Sequence, residues 1–318
     1  MQEPLKVNQT DHVFMSTETQ LLHNVAATTI ASLGFITNAS TILAIIKTRL
    51  YREAAILLVL NLIMLNLIPC VFSLPYISYL SFTHQERVAG KVDDTLCKIM
   101  GFLTYSMVGS EILGLILICT NRYILVVHFD KYQQIYKRKF NVVVMLVVSW
   151  SIYPILLIFP ASEVWGQLKY DPQRFFCHPF NGDSYSSFLT LLTVGVSMPI
   201  LAFCYIAMIY KVWTSKFKVD ASRSIHQSTY QPNKPGTRRY KQERQLVITV
   251  ILILTTFTLL YTPFILLSIL DQDDSKYDPI IIIACLYTAW SHTVINPLVY
   301  SFRNSHILKA FCCRTSNS

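Results

Sequence analysis

The chain has 318 residues, 53% of them hydrophobic and only 14% charged, with a formal net charge of +9 and a mean hydropathy of +0.41. Ordinary globular domains are about a quarter charged, so the composition excludes a soluble protein and points to a membrane protein. The positive excess suits anionic lipid and an intracellular partner rather than nucleic acid.

Apolar stretches of about 20 residues, the length that crosses a bilayer core as helix, run near 23–46, 54–80, 96–127, 140–161, 185–213, 242–270 and 278–302. The expected organisation is an outer tail over 1–22, one seven-helix domain over 23–302 with a cytoplasmic third loop at about 214–241, and an amphipathic eighth helix with the C-terminal tail over 303–318. Residues 1–20 are polar and lack the apolar run of a signal peptide, so the first helix is expected to insert itself.

Placing the N-terminus outside leaves 20 of the 27 Lys and Arg residues on cytoplasmic segments, as the positive-inside rule requires. Acids show the opposite bias, and Glu111 alone falls inside a span. The stretch 214–244 is basic, rich in Ser, Gln and Pro, and without apolar periodicity, which reads as a mobile connection. Pro69, Pro75, Pro154, Pro160, Pro199, Pro263 and Pro297 fall within spans, where a missing N–H bends the helix and opens space between neighbours.

Of eight cysteines, Cys70, Cys119, Cys204 and Cys285 sit in apolar spans as small hydrophobes. Cys97 and Cys177 lie on the outer side, where an oxidising compartment can join them; two free thiols are the alternative. Cys312 and Cys313 end the amphipathic "SFRNSHILKAFCC" and are candidates for palmitoylation. Asn8 opens a glycosylation sequon on the outer tail, whereas the Asn38 sequon is buried in the first span. No nucleophile constellation or metal-ligand spacing suggests an enzyme, and no cofactor is implied.

Asn38, "LNLIMLNL", Cys97 followed 25 residues on by Arg122, Trp150, Pro199, "FTLLYTP" and "NPLVY" together resemble a rhodopsin-like, class A G-protein-coupled receptor over essentially the whole chain. The resemblance implies an all-helical bundle with a ligand pocket near the outer face, a rotating sixth helix and nucleotide exchange on a heterotrimeric G protein. Arrestin would be a further partner and the plasma membrane the location. "NRYILVVHFDKYQQIY" and "LKYDPQRFFC" are similar to melatonin receptors, whereas "LLYTPFILLSILD" and the Trp290–Tyr300 stretch are similar to the medium-chain fatty-acid receptor. The moody and trapped-in-endoderm receptors share the Asn-Arg-Tyr variant.

Family positions identify candidate residues. The aspartate of amine receptors is Thr104 here and the retinal-binding lysine of opsins is Trp290, so neither a monoamine nor retinal is expected. Thr104, Met107, Val108, Phe176, Tyr261, Tyr287 and Trp290 would line a pocket suited to a lipid or other largely apolar small molecule, or would simply pack the bundle. Arg174 would clamp a ligand carboxylate or be a solvated loop charge. The implied activation switch comprises Asn121, Arg122, Tyr123, Glu243, Phe257, Tyr261, Pro263, Asn296, Pro297 and Tyr300, with Glu243 holding Arg122 in the inactive state. Tyr205 falls six residues after Pro199, two fewer than the family's spacing.

Asn38, Asn66, Glu111, His292, Thr293 and Asn296 match an intramembrane polar pocket that binds sodium in the family. The family's second-helix aspartate is Asn66 here, and its third-helix serine is Glu111. Three neutralising partners are open for Glu111: a proton, His292 or Na⁺, with the first two favoured. A channel, a transporter and an atypical receptor that internalises ligand without coupling are the competing classes; the last is the stronger alternative.

Overall fold

The computed structural model describes residues 16–83, 94–171, 174–179, 184–225, 235–270, 277–304, 307–308 and 310. Seven helices are long and apolar enough to cross a membrane: Thr17–Lys47, Ala54–Phe82, Asp94–Leu125, Lys139–Ala161, Ser184–Tyr210, Val247–Leu270 and Pro279–Arg303. We refer to them as the first to seventh spans. Large apolar side chains such as Leu43, Phe140 and Leu259 are exposed on the outside of the bundle, as expected of surfaces that meet lipid rather than water.

Local chemistry explains where the helices begin and bend. Ser16 caps the first span by accepting the Thr19 N–H at 3.2 Å, so the helix begins in polar residues ahead of the apolar run near 23. Asp278 caps the seventh span through the Ile280 N–H at 2.8 Å, with Pro279 in the first turn. The second span divides at Phe72 into Ala54–Val71 and Ser73–Phe82, between Pro69 and Pro75. The seventh divides at Ser291 into Pro279–Trp290 and His292–Arg303, upstream of Pro297. In the fifth, Pro199 is preceded by a π-helical stretch, Leu191–Ser197, in which Ser197 Oγ donates to the Leu192 carbonyl at 3.2 Å.

The connection expected over 214–241 is shorter in the structure. The fifth-span helix runs to Ile225 and the sixth starts at Pro235. Lys, Arg, Gln and Glu are good helix formers, and a helix projecting beyond the bilayer needs no apolar face. A short helix, Phe129–Tyr136, follows the third span. Beyond Asn304 only residues 307, 308 and 310 are described; they are helical, with Ile307 buried, so the eighth helix stays an expectation.

The third span is the axis of the bundle, packing against the second, fourth, fifth and sixth. Above it, β1 (Leu168–Asp171) and β2 (Phe176–Pro179) pair antiparallel, with Tyr170 opposite Cys177. The Cys97–Cys177 disulfide, with Cα atoms 5.4 Å apart, ties β2 to the top of the third span. Gly101 permits that approach: a Cβ there would run into the Cys177 carbonyl. These contacts define a disulfide end and an opposite, Arg122 end.

Candidate functional site

β2 roofs a cavity of about 160 Å³ among the third to sixth spans. Val108, Gly109 and Ile112 form its third-span wall, Tyr153 its fourth, Thr190, Thr193 and Met198 its fifth, and Tyr261, Phe264 and Ile269 its sixth. Tyr153 reaches in because residue 109 is glycine; a Cβ would collide with the phenol ring. The Tyr153 hydroxyl shares a hydrogen bond with Thr193 Oγ1 at 3.2 Å, so this wall offers polarity without charge. A smaller recess of about 40 Å³ adjoins it, lined by Thr104, Val108, Phe176, Tyr261 and Trp290 among others.

The sequence-based ligand set divides accordingly. Val108, Arg174 and Tyr261 line the main cavity, and Thr104, Phe176 and Trp290 the recess. Met107 and Tyr287 line neither. The Tyr287 hydroxyl donates to the His23 carbonyl at 3.1 Å and lies 3.0 Å from His23 Nδ1, which fastens the seventh span to the first. Arg174 is neither a solvated loop charge nor an unopposed clamp: it is buried, and its guanidinium donates to Asp171 Oδ2 at 2.6 Å. His178 closes the group, with Nε2 3.4 Å from Arg174 and Nδ1 donating to the Pro179 carbonyl at 2.8 Å. The roof therefore presents a mutually neutralised ion pair.

Beneath the cavity, the polar residues of the third, second and seventh spans converge. His292 Nε2 lies 2.9 Å from Glu111 Oε2 and 3.1 Å from Asn66 Oδ1. Its Nδ1 donates to the Ala289 carbonyl at 2.5 Å, which places a proton on Nδ1. Nε2 then either accepts a proton from a neutral Glu111 or, as imidazolium, donates to a carboxylate. Either form would hold one proton on the Nε2–Oε2 line with no net charge, an arrangement in which an acid is tolerable at this depth.

Sodium fits this donor set poorly. Glu111 Oε1 and Asn296 Oδ1 have no hydrogen-bond partner among the described residues and are hard oxygens of the right kind. The other Glu111 oxygen and the Asn66 oxygen both face the histidine nitrogen, whose proton a cation would have to displace. Nearby, Thr293 Oγ1 donates to the Trp290 carbonyl, and Asn38 Nδ2 joins the first span to the Thr293 carbonyl at 2.8 Å.

Aromatic rings connect the two levels. Phe257 stacks on Tyr261 at 4.3 Å, and the His292 ring lies 5.0 Å from Tyr261 and 5.7 Å from Phe257. Tyr261 is thus both a cavity wall and a neighbour of the proton-bearing histidine.

At the Arg122 end, Asn121, Arg122 and Tyr300 are buried. Tyr123 packs its ring against Phe203 at 5.8 Å and His128 at 6.0 Å. Burial pushes the Tyr136 phenol up to about 12, and Tyr132, stacked on it at 5.0 Å, adds to the rise; Tyr136 anchors the short helix in the core at this end. Tyr205 makes a 3.2 Å hydrogen bond with Thr255 of the sixth span. Pro263 and Pro297 lie inside their helices. The Glu243 side chain, Asn8, Cys312 and Cys313 lie outside what is described.

Sequence reasoning missed Gly109, Tyr153, Asp171, His178 and Tyr136. An intramembrane glycine in the third span and a Tyr-Pro pair in the fourth were readable signals, but their meeting is set by helix rotation.

Comparison with known proteins agrees with this architecture. The family model "7 transmembrane receptor (rhodopsin family)" matches residues 37–300. The chain is 27% identical to the protein trapped in endoderm-1 of Drosophila melanogaster, over 98% of the chain and 81% of that protein. It is 22% identical to the Drosophila melanogaster G-protein coupled receptor moody, over 87% of the chain and 48% of that protein, and 24% identical to melatonin receptor type 1C of Gallus gallus, over 86% and 76%. Squid rhodopsin has the same fold, with a TM-score of 0.77 at 17% identity, covering 94% of the chain and 86% of rhodopsin. The chain is a multi-pass membrane protein and belongs to the rhodopsin family of seven-transmembrane receptors.

Proposed function

We propose that the protein is a plasma-membrane receptor, N-terminus outside, that binds a lipid or other largely apolar small molecule and catalyses nucleotide exchange on a heterotrimeric G protein, with arrestin as a further partner. The observation that carries this reading is the position of Tyr261, which lines the cavity and lies 5.0 Å from the imidazole paired with Glu111. A ligand that shifts Tyr261 moves the sixth span against the third and seventh spans at their buried proton pair. Buried Arg122 lies at the other end of the same third helix. The cavity's apolar walls and uncharged hydroxyls favour a mostly apolar ligand, and the distribution of Lys and Arg supports the topology.

A second reading, a receptor that binds and internalises ligand without coupling, is favoured by Asn66, Asn121 and Tyr261 at positions where the family usually carries other residues. Screening fatty acids, lysolipids and, given the melatonin-receptor relatives, indoleamines in a G-protein dissociation assay across Gα families separates the two. Ligand-dependent dissociation supports coupling; saturable binding with internalisation and no dissociation supports the second reading.

A further inference from the structure

The roof of the cavity holds a titratable group that the ligand reading leaves unused. His178 on β2 is buried, and its Nδ1 donates to the Pro179 carbonyl at 2.8 Å. Its other nitrogen, Nε2, lies 3.4 Å from the Arg174 guanidinium and 3.5 Å from Asp171 Oδ2. With a proton already on Nδ1, a neutral His178 can only accept at Nε2, and the donor it faces there is Arg174.

Arg174 and His178 both line the cavity, whereas Asp171 does not. Among the described residues, Arg174 is the one permanently charged side chain on that lining, and no carboxylate lines it. Much of the rest is apolar, with Ile112, Val194, Phe264 and Ile265. A polar roof over apolar walls suits a single-chain amphiphile with its head under β2.

A proton on Nε2 changes the roof in two ways. The ring gains one positive charge, and Nε2 turns from acceptor to donor, so two cationic donors converge on Asp171 Oδ2. An anionic oxygen entering from the cavity supplies a second acceptor, and charge-assisted hydrogen bonds are the stronger kind. The other groups around the hairpin bring no competing anion to this point. Lys169 stands opposite His178 in the hairpin register. Tyr105, Tyr153 and Tyr261 are the phenols on the lining. At the top of the third span, Lys98 pairs with Asp94 and with Glu163. The upper second span, Ser73–Phe82, offers Tyr76 and Tyr79 and no charged residue. Linkage is reciprocal, so an anion that favours the imidazolium binds more tightly as protons are added.

We infer that His178 makes the cavity roof a proton-gated anion site, at which an amphiphile with an anionic head binds more tightly as the pH falls. This deepens, and rests on, the reading of the cavity as the ligand site.

The test uses the full-length receptor in phosphatidylcholine nanodiscs and two radiolabelled probes. Decanesulfonate keeps an anionic head throughout, and decyl methyl sulfone has the same tail without the charge. Binding is measured at about pH 7.5 and about pH 5.5, across the range in which histidine changes charge, with partition into empty nanodiscs subtracted. Sulfonate affinity is expected to rise about tenfold on acidification, an ordinary coupling energy, while sulfone affinity stays constant. His178→Gln, which cannot titrate, should flatten the sulfonate response, and Thr193→Trp, which fills the cavity, should abolish binding of both probes. A pH response that survives in folded His178→Gln overturns the assignment; His178→Asn serves if that variant does not fold. An equal response from the sulfone overturns the anion as its cause. Sulfonate binding that Thr193→Trp abolishes but pH does not alter overturns the gate and leaves the cavity reading intact. Binding that Thr193→Trp leaves unchanged, or no specific binding of either probe, overturns the cavity reading and the gate with it.

Discussion

His292 Nε2 of the seventh span lies 2.9 Å from Glu111 Oε2 of the third, both side chains being buried. Removing one partner leaves a buried polar group without its complement, at a cost of about 3–5 kcal/mol. Glu111→Leu is therefore expected to lower the thermal unfolding midpoint markedly, and Glu111→Leu with His292→Leu to lower it by less than the two single effects together. The coupling should be about 1–3 kcal/mol in a double-mutant cycle; additive losses would count against the bridge.

Because His292 Nε2 faces one Glu111 oxygen and the Asn66 oxygen, replacing NaCl with choline chloride at fixed ionic strength should leave agonist affinity unchanged. Clear allosteric inhibition by sodium would show that the ion takes the proton's place.

Gly109 makes room for the Tyr153 ring at the cavity wall. Gly109→Ala should destabilise by about 1–3 kcal/mol through overpacking. Gly109→Ala with Tyr153→Leu should recover much of that loss in a thermal melt. A melt unaffected by Gly109→Ala alone would mean the ring can move aside.

Arg174 is neutralised by Asp171 in the cavity roof. Asp171→Asn should cost up to about 3 kcal/mol by removing the carboxylate 2.6 Å from a buried guanidinium. It should also strengthen binding of carboxylate-bearing lipids, read by competition against a fixed tracer. Unchanged carboxylate binding in the folded variant would place Arg174 out of the ligand's reach.

Glu243→Gln should raise basal G-protein signalling about fivefold, the lower end of ordinary coupling energies, if Glu243 holds Arg122 in the inactive state. The measurement is nucleotide exchange without ligand at equal surface expression. Unchanged basal activity would remove Glu243 from the switch.

The sequence by itself determined the class of fold, the number of spans and the family. Each of these is written locally: apolar runs of bilayer length, prolines at bends, Cys97, and the "NPLVY" and Asn-Arg-Tyr motifs at readable positions. It also identified Glu111 and His292 as possible partners, because family positions carry three-dimensional information into one dimension. The tertiary structure decided what depends on helix rotation and on the path of the loop. The hairpin register brings Arg174 onto Asp171 rather than into solvent, and the Tyr287 side chain is engaged with the first span. The π-helical stretch before Pro199 shapes the upper fifth span. A rotation of about 100° per residue separates neighbours on a helix, so which face meets a partner is settled by how seven spans pack, and no stretch of the chain read alone contains it.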